Sequence, residues 1–396
     1  MNKRFTGAVA LCIGFIGVVH AQPATLPAEE WMHYVFGHHV AQAAADLEPA
    51  LRRQQQEVRF RPAPLQASAF YLTPGASPLP DYTEWQVDQT GVLPPVVAAR
   101  RSVVEAAESA GIADRAVFRQ QLWWEVADHV FAWLALIEER EVVTRQIASF
   151  EEVLDVTTQR NVAGEATAME VELARWGVAE VRTVGADLEA RSRALELQLQ
   201  AWCGGVLPAA SVSAGAYAEL GPLNLDAGDL PVEAAAEAAN GYAEAEWMRA
   251  RRERLPEWTL GYNAQGVTGE VYGGVFAGLA IPIRGARSGE EWADLERSRV
   301  RFEGERRVAE ARVEWTVWAE RYAALRAVRP IWSEALAESS VGAVRDLAYT
   351  TNHFSVAELH RLLNAQFQAE RELIHLDEEL RRLRARLRSS LEMPQS

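Results

Sequence analysis

The chain has 396 residues and is acidic, with 55 Asp and Glu residues against 40 Lys and Arg residues and a net charge of −15. Because a nucleic-acid-binding surface needs an excess of cations, this balance excludes nucleic acid as an expected partner. Outside the N-terminus there is no run of about 18 apolar residues, so the sequence predicts no transmembrane helix.

The N-terminus has the three parts of an export signal. Lys3 and Arg4 are its positive end, Ala8 to Val19 its apolar core, and Val19-His20-Ala21 a small-residue cleavage site. We therefore predict that residues 1–21 are a signal peptide and that the protein is exported. Cys203 would then be the single cysteine of the mature chain, without a disulfide partner.

Residues 22–39 are expected to be short and irregular; His33, His38 and His39 occur there without the cysteine or acidic cluster that would complete a metal site. The spacing of apolar residues predicts a helix from Val40 to Arg59, ended by prolines. Residues 65–72 and 84–89 follow as predicted strands, and the second alternates between polar residues and Trp85 and Val87.

A very long helical stretch comes next, from about Val96 to Arg160, with heptad spacing through Val126, Val130 and Trp133. At 1.5 Å per residue it would be about 100 Å long. The stretch after residue 170 has the same spacing, so the two are expected to form an antiparallel coiled-coil hairpin.

The second half has the same order of patterns. The Gly- and Pro-rich residues 204–230 predict a connector. They are followed by a predicted helix at 234–255, strands at 257–265 and 271–281, a long helix at about 288–351 and a returning helix with leucines at heptad spacing up to Leu387.

The two halves are related by an offset of 188 residues, the distance from Pro94 to Pro282 and also from Thr167 to Ser355. We interpret this as an internal repeat. It divides the chain into a signal peptide (1–21), repeat one (22–203), a connector (204–230) and repeat two (231–396).

The strands predict a wall between lipid and water, because their large apolar residues fall on one face and small polar residues on the other. The lipid-facing candidates are Trp85, Trp258, Leu260 and Tyr262. Four strands cannot close a barrel, and an open edge in lipid leaves backbone groups unpaired, so closure requires further copies of the chain.

The sequence contains no phosphate-binding glycine loop, paired-cysteine metal site or nucleophile motif. We therefore predict a protein that is not an enzyme and has no cofactor or metal.

Each predicted hairpin turn is followed by a carboxylate, Glu170 in Thr-Ala-Met-Glu and Glu358 in Ser-Val-Ala-Glu. A ring of carboxylates at a constriction selects for cations. The same Thr/Ser-x-x-Glu spacing is also that of a capping box, in which the carboxylate stabilises the start of a helix. The sequence leaves both roles open, and they are compatible.

The whole mature chain resembles the outer membrane efflux protein family, the TolC-like channels. The resemblance lies in the twofold order of helix, two strands, long helix, turn and returning helix. It also lies in the turn sequences, Arg160 to Val171 and Tyr349 to Leu359, in which Thr167 and Ser355 follow Pro94 and Pro282 by about 73 residues each. The second turn departs from the family pattern in having His353-Phe354 in place of a glycine.

The resemblance implies a mixed α+β membrane protein. Long antiparallel coiled-coil α-hairpins would form a periplasmic α-barrel, and four strands from each protomer of a homotrimer would form a 12-stranded outer-membrane β-barrel. It implies a passive exit duct in contact with outer-membrane lipid, which docks an inner-membrane pump through a periplasmic adapter protein. The implied aperture residues are Glu170, Glu358, Tyr349 and Arg361, and the implied adapter-docking residues are Gly164, Thr167, Phe354 and Ser355.

Two other functions remain open at this point. The same duct would serve a type I secretion system equally well. A periplasmic coiled-coil scaffold or adapter without a pore would also use long hairpins, although the lipid-suited strand faces argue against it. The transported substrate and the class of partner pump are not encoded in any pattern of the sequence.

Overall fold

The computed structural model describes residues 28–72, 82–205, 207, 230–267, 270–281, 286–339, 342 and 355–389. The predicted signal peptide, most of the predicted connector, Tyr349 and Phe354 lie outside these residues. Within them the chain forms seven helices and four strands. In chain order these are α1 (Ala28–His38), α2 (Val40–Arg59), β1 (Gln66–Leu72), β2 (Tyr82–Val92), α3 (Pro94–Val162), α4 (Ala168–Trp202), α5 (Pro231–Arg252), β3 (Glu257–Val267), β4 (Glu270–Ala280), α6 (Ala286–Ala337) and α7 (Val356–Ser389).

The four strands form one antiparallel sheet in the order β1-β2-β3-β4. The central pair joins the two halves of the chain, with Trp85 opposite Ala264 and Val87 opposite Tyr262. Because residues opposite each other in an antiparallel pair share a face, the register places the side chains of Trp85, Trp258, Leu260 and Tyr262 together. The predicted separation of an apolar and a polar face is found in the central pair β2–β3, whereas the register of the outer strands places Phe70, Leu72 and Phe276 on the polar face.

Apart from α1, which packs onto α3 and α4, the helices form a layer below the sheet. α3 and α6 are the long helices, with 69 and 52 residues. α3 packs against α2, α4, α5 and α7, α6 packs against α5 and α7, and near the tips α4 also contacts α7. Two shorter helices therefore share each position beside α3, and the layer has the order α4 with α2, α3, α7 with α5, and α6.

At each shared position the shorter helices meet end to end. The His39 ring at the start of α2 lies 5.0 Å from the Trp202 ring at the end of α4. Leu230, which precedes α5, packs in one cluster with Leu383 and Leu387 near the end of α7. The layer is thus built from two continuous helices and two composite ones.

The apolar core runs along the helix contacts, as the heptad patterns predict. Val126, Val130 and Trp133 of α3 are buried, and so are Leu380 and Leu387 of α7. The tryptophans in these patterns are packing residues: Trp133 and Trp315 are each 8% exposed.

Two predictions about elements were wrong. Residues 28–38, expected to be irregular, form α1, because Trp31, Met32, Val35 and Phe36 share one side of a helix and pack onto α3. The long helix expected to reach residue 351 ends at Ala337, where a turn at Glu338 and Ser339 precedes residues outside the described part. The next described residue, Gly342, is again helical, so the long predicted stretch is interrupted at this turn.

None of the helices in the described part of the chain is long and apolar enough to cross a membrane.

Candidate functional site: hairpin tips and sheet faces

The first hairpin tip is a tight turn between α3 and α4. Gly164 has φ +78°, a conformation that favours glycine, and its α-carbon faces open space. The Asn161 side-chain amide donates to the carbonyl of Ala166 at 2.7 Å and holds the turn closed. Gly164 and Thr167 are exposed, as are Val162 and Met169, which are 86% and 82% exposed.

A capping box begins α4. The Glu170 N–H donates to the Thr167 hydroxyl at 3.2 Å, and the Thr167 N–H donates back to the Glu170 carboxylate at 2.7 Å. The Thr167 N–H and hydroxyl together lower the pKa of Glu170. The carboxylate is therefore ionised at neutral pH and stabilises the helix N-terminus, a role that is compatible with a position at an aperture.

The second tip has the same arrangement at the start of α7. The Ser355 N–H donates to the Glu358 carboxylate at 2.9 Å, and the Glu358 N–H donates to the Ser355 hydroxyl at 3.2 Å. The bond from the Ser355 N–H lowers the pKa of Glu358, and the neighbouring charge of Arg361 adds to this. Ser355, Glu358 and Arg361 are exposed.

The two hairpins pack side by side near their tips. Leu359 and Leu363 of α7 lie in one buried cluster with Val153 of α3 and with Ala174 and Val178 of α4. The structure thus brings Thr167 and Glu170 into the same end of the helical layer as Ser355, Glu358 and Arg361. Predicted tip residues Tyr349 and Phe354 lie outside the described residues.

His360 connects all three helices at this end and was not singled out as functional from the sequence. Its ring packs edge-on to Phe150 of α3 at 4.7 Å, and its Nδ1 accepts from Asn364, 3.3 Å away. Its Nε2 lies 2.5 Å from where a Cβ on Gly177 of α4 would be. The Nε2 is buried without a hydrogen-bond partner, and burial lowers the pKa of His360.

Asn364 continues this contact to α3, because its Oδ1 accepts from the buried Gln146 amide at 2.8 Å. The chain Gln146, Asn364, His360 is consistent only with a neutral imidazole whose Nδ1 is an acceptor. No sequence pattern signals this arrangement, since Phe150, Gly177 and His360 belong to different helices.

The sheet has chemically distinct faces. One carries the exposed side chains of Trp85, Leu260 and Tyr262, which are 49%, 51% and 42% exposed. The other carries a polar network in which Glu84 accepts from the Tyr82 hydroxyl at 2.7 Å and from the Asn263 amide at 2.8 Å. All four carboxylates of the strands, Glu84, Asp88, Glu257 and Glu270, fall on this second face by register, and the strands contain no Lys or Arg.

Aromatic rings cover glycines across the sheet. A Cβ added to Gly91 would lie 2.3 Å from the Trp258 ring, and one added to Gly261 would lie 2.5 Å from the Phe276 ring. These glycines provide room for a cross-strand ring, an arrangement that stabilises glycine-containing sheets. The Trp258 indole also donates to the carbonyl of Val92 at 3.3 Å.

Below the sheet, Phe60 at the end of α2 is the centre of an ionic cluster. The guanidinium groups of Arg59, Arg100 and Arg249 lie 5.1, 5.6 and 5.7 Å from its ring centroid. Glu246 bonds Arg59 and Arg249, and Glu253 bonds Arg100 and Arg249. The cluster ties α2, α3 and α5 together at the point where the helices meet the strands.

Solved structures of outer-membrane channels have this fold. CusC, described in terms of folding and transmembrane channel formation, is 15% identical, with 94% of this chain and 95% of that chain covered and a TM-score of 0.76. The outer membrane protein VceC of Vibrio cholerae is 14% identical, with coverage of 92% and 95% and a TM-score of 0.74. The MtrE outer membrane channel of Neisseria gonorrhoeae is 16% identical, with coverage of 92% and 88% and a TM-score of 0.67.

The chain is therefore mostly helical, with a four-stranded antiparallel sheet, and has the fold of outer-membrane channels over nearly its full length. The resemblance predicted from the sequence is confirmed at the level of the fold. No protein-family model and no curated protein sequence matches the chain.

Proposed function

We propose that the chain is one protomer of a homotrimeric exit duct, with its sheet in the outer membrane and its helices in the periplasm. The duct is passive and forms the outer part of a tripartite efflux system, docked through a periplasmic adapter to an inner-membrane pump. In this proposal the twofold order of elements reflects a duplication into repeats 22–203 and 231–396, joined by the connector 204–230.

The open edges of the protomer are the observation that carries the proposal. Within the described residues β1 pairs only with β2, and β4 only with β3. Unpaired backbone groups at a sheet edge are not tolerated in lipid. The sheet can therefore lie in a membrane only if further copies of the chain pair with its two edges. Three copies, each with four strands, would give one barrel of 12 strands with its polar face inside.

The helical layer has matching open edges. α6 carries an exposed apolar stripe along its outer side, in which Trp292, Leu295, Phe302, Val313 and Ile331 are all more than half exposed. The opposite edge, α4 with α2, carries Trp176, Leu47 and Leu51, which are 69%, 60% and 47% exposed. α6 has 52 residues, and α4 and α2 have 35 and 20, so both edges are about 80 Å long.

Apolar stripes of equal length on opposite edges fit a ring in which each copy packs α6 against α4 and α2 of the next. The tips would then lie together at the periplasmic end. There we assign Gly164, Thr167, Phe354 and Ser355 to adapter docking, and Glu170, Glu358, Tyr349 and Arg361 to the aperture.

Detergent extraction and bilayer recording test the proposal. We expect a heat-modifiable trimer from the outer-membrane fraction that forms conducting pores in a planar bilayer. Recovery as a soluble periplasmic monomer without conductance would contradict it and would favour the scaffold without a pore. A conducting trimer that co-purifies with a secretion exporter in place of an efflux adapter would assign the duct to type I secretion.

A further inference from the structure

We propose that the cleft between α2 and α3, directly below the sheet, binds the phosphate of an anionic phospholipid through Arg61 and Arg101. The inference deepens the proposed membrane location and rests on it. It assigns a lipid class and a headgroup site to a surface that has no part in conduction.

The cleft lies at the boundary between the apolar sheet face and the helices. It has a volume of about 900 Å³ and is lined by the ends of α2 and β2 and the starts of α3 and β3. Three of its lining residues, Gln89, Gly91 and Trp258, lie on the apolar face by register. A lipid whose acyl chains cover that face would therefore have its headgroup at the level of the cleft.

The apolar surface continues into the cleft. Val97, in the first turn of α3, is 53% exposed and lines it. Above it Trp258 is paired with Leu279 of β4, which is 69% exposed. Tryptophan at such a position is typical of the interface between lipid and water. A free anion would leave these apolar groups exposed, whereas a phospholipid covers them.

The charges in the cleft leave guanidinium groups available for a phosphate. Arg53 forms ion pairs with Glu57 and Glu108. Arg59 and Arg100 belong to the ionic cluster around Phe60. Arg61 is exposed and has no ionic partner among the described residues. Of the other two carboxylates that line the cleft, Glu105 pairs with Arg101, and Glu257 starts β3 with its side chain on the polar face by register.

Arg101 is also accessible. Its side chain is 81% exposed and, among the described residues, forms an ion pair only with Glu105, one helical turn away and itself 67% exposed. An exposed pair of this kind contributes little, so a phosphate displaces Glu105 readily. A phosphate contacted by two guanidinium groups gains charge-assisted, bidentate hydrogen bonds, for which arginine is suited better than lysine.

Native mass spectrometry of the detergent-extracted oligomer tests the inference. The probes are phosphatidylglycerol, phosphatidylcholine and inorganic phosphate, each at the same concentration. We expect phosphatidylglycerol to bind about tenfold more tightly than phosphatidylcholine, and the double variant Arg61→Gln/Arg101→Gln to lose about tenfold in affinity for it. The control Arg307→Gln/Arg326→Gln, which removes two exposed arginines of α6, should bind like the unmodified protein.

Three results would overturn the inference: equal binding of the two lipids, equal loss in the control variant, or displacement of phosphatidylglycerol by an equal concentration of inorganic phosphate. Bilayer conductance of the Arg61→Gln/Arg101→Gln variant should be unchanged, which shows that it is folded. Conductance without lipid preference would refute the headgroup site alone. Absence of any membrane oligomer or conductance would refute the proposed duct and this site together.

Discussion

The hydroxyl residues at the two tips hold the carboxylates that follow them. For Thr167→Ala, loss of the cap should cost about 1 kcal/mol locally. We expect amide hydrogen exchange in the first turn of α4 to become about fivefold faster, while exchange in the first turn of α7, capped by Ser355, stays unchanged. Equal exchange in the variant and the unmodified protein would show that the turn at Gly164 suffices to hold this end.

The stabilising effect of this cap also depends on pH. The pKa of Glu170 is lowered in the folded chain, so its carboxylate stabilises the fold. This stabilisation is fully present above the ordinary glutamate value of 4.5 and is lost as pH falls through the lowered pKa. The cap is therefore intact throughout the neutral range.

His360 gives the contact between the hairpins an acid sensitivity of its own. Burial lowers the pKa of His360, and the charge of Glu180 of α4 opposes this shift. Below the ordinary value of 6.5, the imidazole therefore takes up a proton more readily when the contact between the hairpins is open than when it is packed. The contact is at full strength above pH 6.5 and weakens as pH falls. We expect exchange at Leu359–Leu363, corrected for intrinsic rates, to be faster at pH 5.5 than at pH 7.5.

The variant His360→Gln should abolish this acid response, because glutamine does not titrate. His129→Gln, which removes a half-buried histidine of α3 next to Trp202 and far from the tips, should retain it. An acid response that survives in His360→Gln would place the sensitive group elsewhere.

At the scale of elements, the sheet depends on glycines that accommodate rings. In Gly91→Ala the new methyl group would collide with the Trp258 ring, which must move and lose its bond to Val92. Overpacking of this kind costs about 1–3 kcal/mol. We expect the oligomer to dissociate at a lower temperature in a gel-shift assay, with altered tryptophan fluorescence.

Gly278→Ala is the matched control on β4. A Cβ there meets nothing closer than a Thr259 carbon at 3.9 Å, so its dissociation temperature should be unchanged. If both substitutions have the same effect, the cause is glycine flexibility in strands and the ring contact is irrelevant.

The elements with a repeating pattern could be predicted from the sequence. The helix predicted from Val40 to Arg59 has these bounds in the structure, and the strand predicted at 257–265 spans Glu257–Val267. Such patterns are local, because the spacing of apolar residues along a segment predicts which face of its helix or strand is buried. The spacing from Thr167 to Glu170 likewise predicts a capping box within four residues.

What the sequence did not reveal depends on distant contacts. α1 is short, and it is held by the packing of Trp31 on Trp133, about a hundred residues away. The contacts of His360 with Gly177 and Phe150 and the cluster around Phe60 likewise join segments far apart in the chain. No local period encodes such contacts.

At the scale of the whole molecule, the exposed stripe on α6 should decide assembly. Phe302→Glu would place a charge in the proposed contact between copies, at a cost of several kcal/mol if buried. Since Phe302 is 59% exposed in the protomer, the protomer itself should keep its fold. We expect unchanged helical circular dichroism and loss of the trimer in analytical ultracentrifugation.

Arg307→Glu is the control for this variant. Arg307 is exposed and lies five residues further along α6, roughly 140° around the helix from Phe302 and away from the stripe. The trimer should persist. A trimer that survives Phe302→Glu would mean that α6 faces something other than the next copy.

The composite helices have a mechanical consequence. Within the described residues, α4 meets α2 and α7 meets α5 through side-chain contacts such as that between Trp202 and His39, whereas α3 and α6 are unbroken helices. A force applied at the tips would therefore be transmitted to the sheet along the two continuous helices, α3 and α6. The two composite helices, α4 with α2 and α7 with α5, would separate at their junctions. The force on a docked tip would be borne by α3, which begins at Pro94 directly after β2 ends at Val92, and by α6, the helix that follows β4 along the chain.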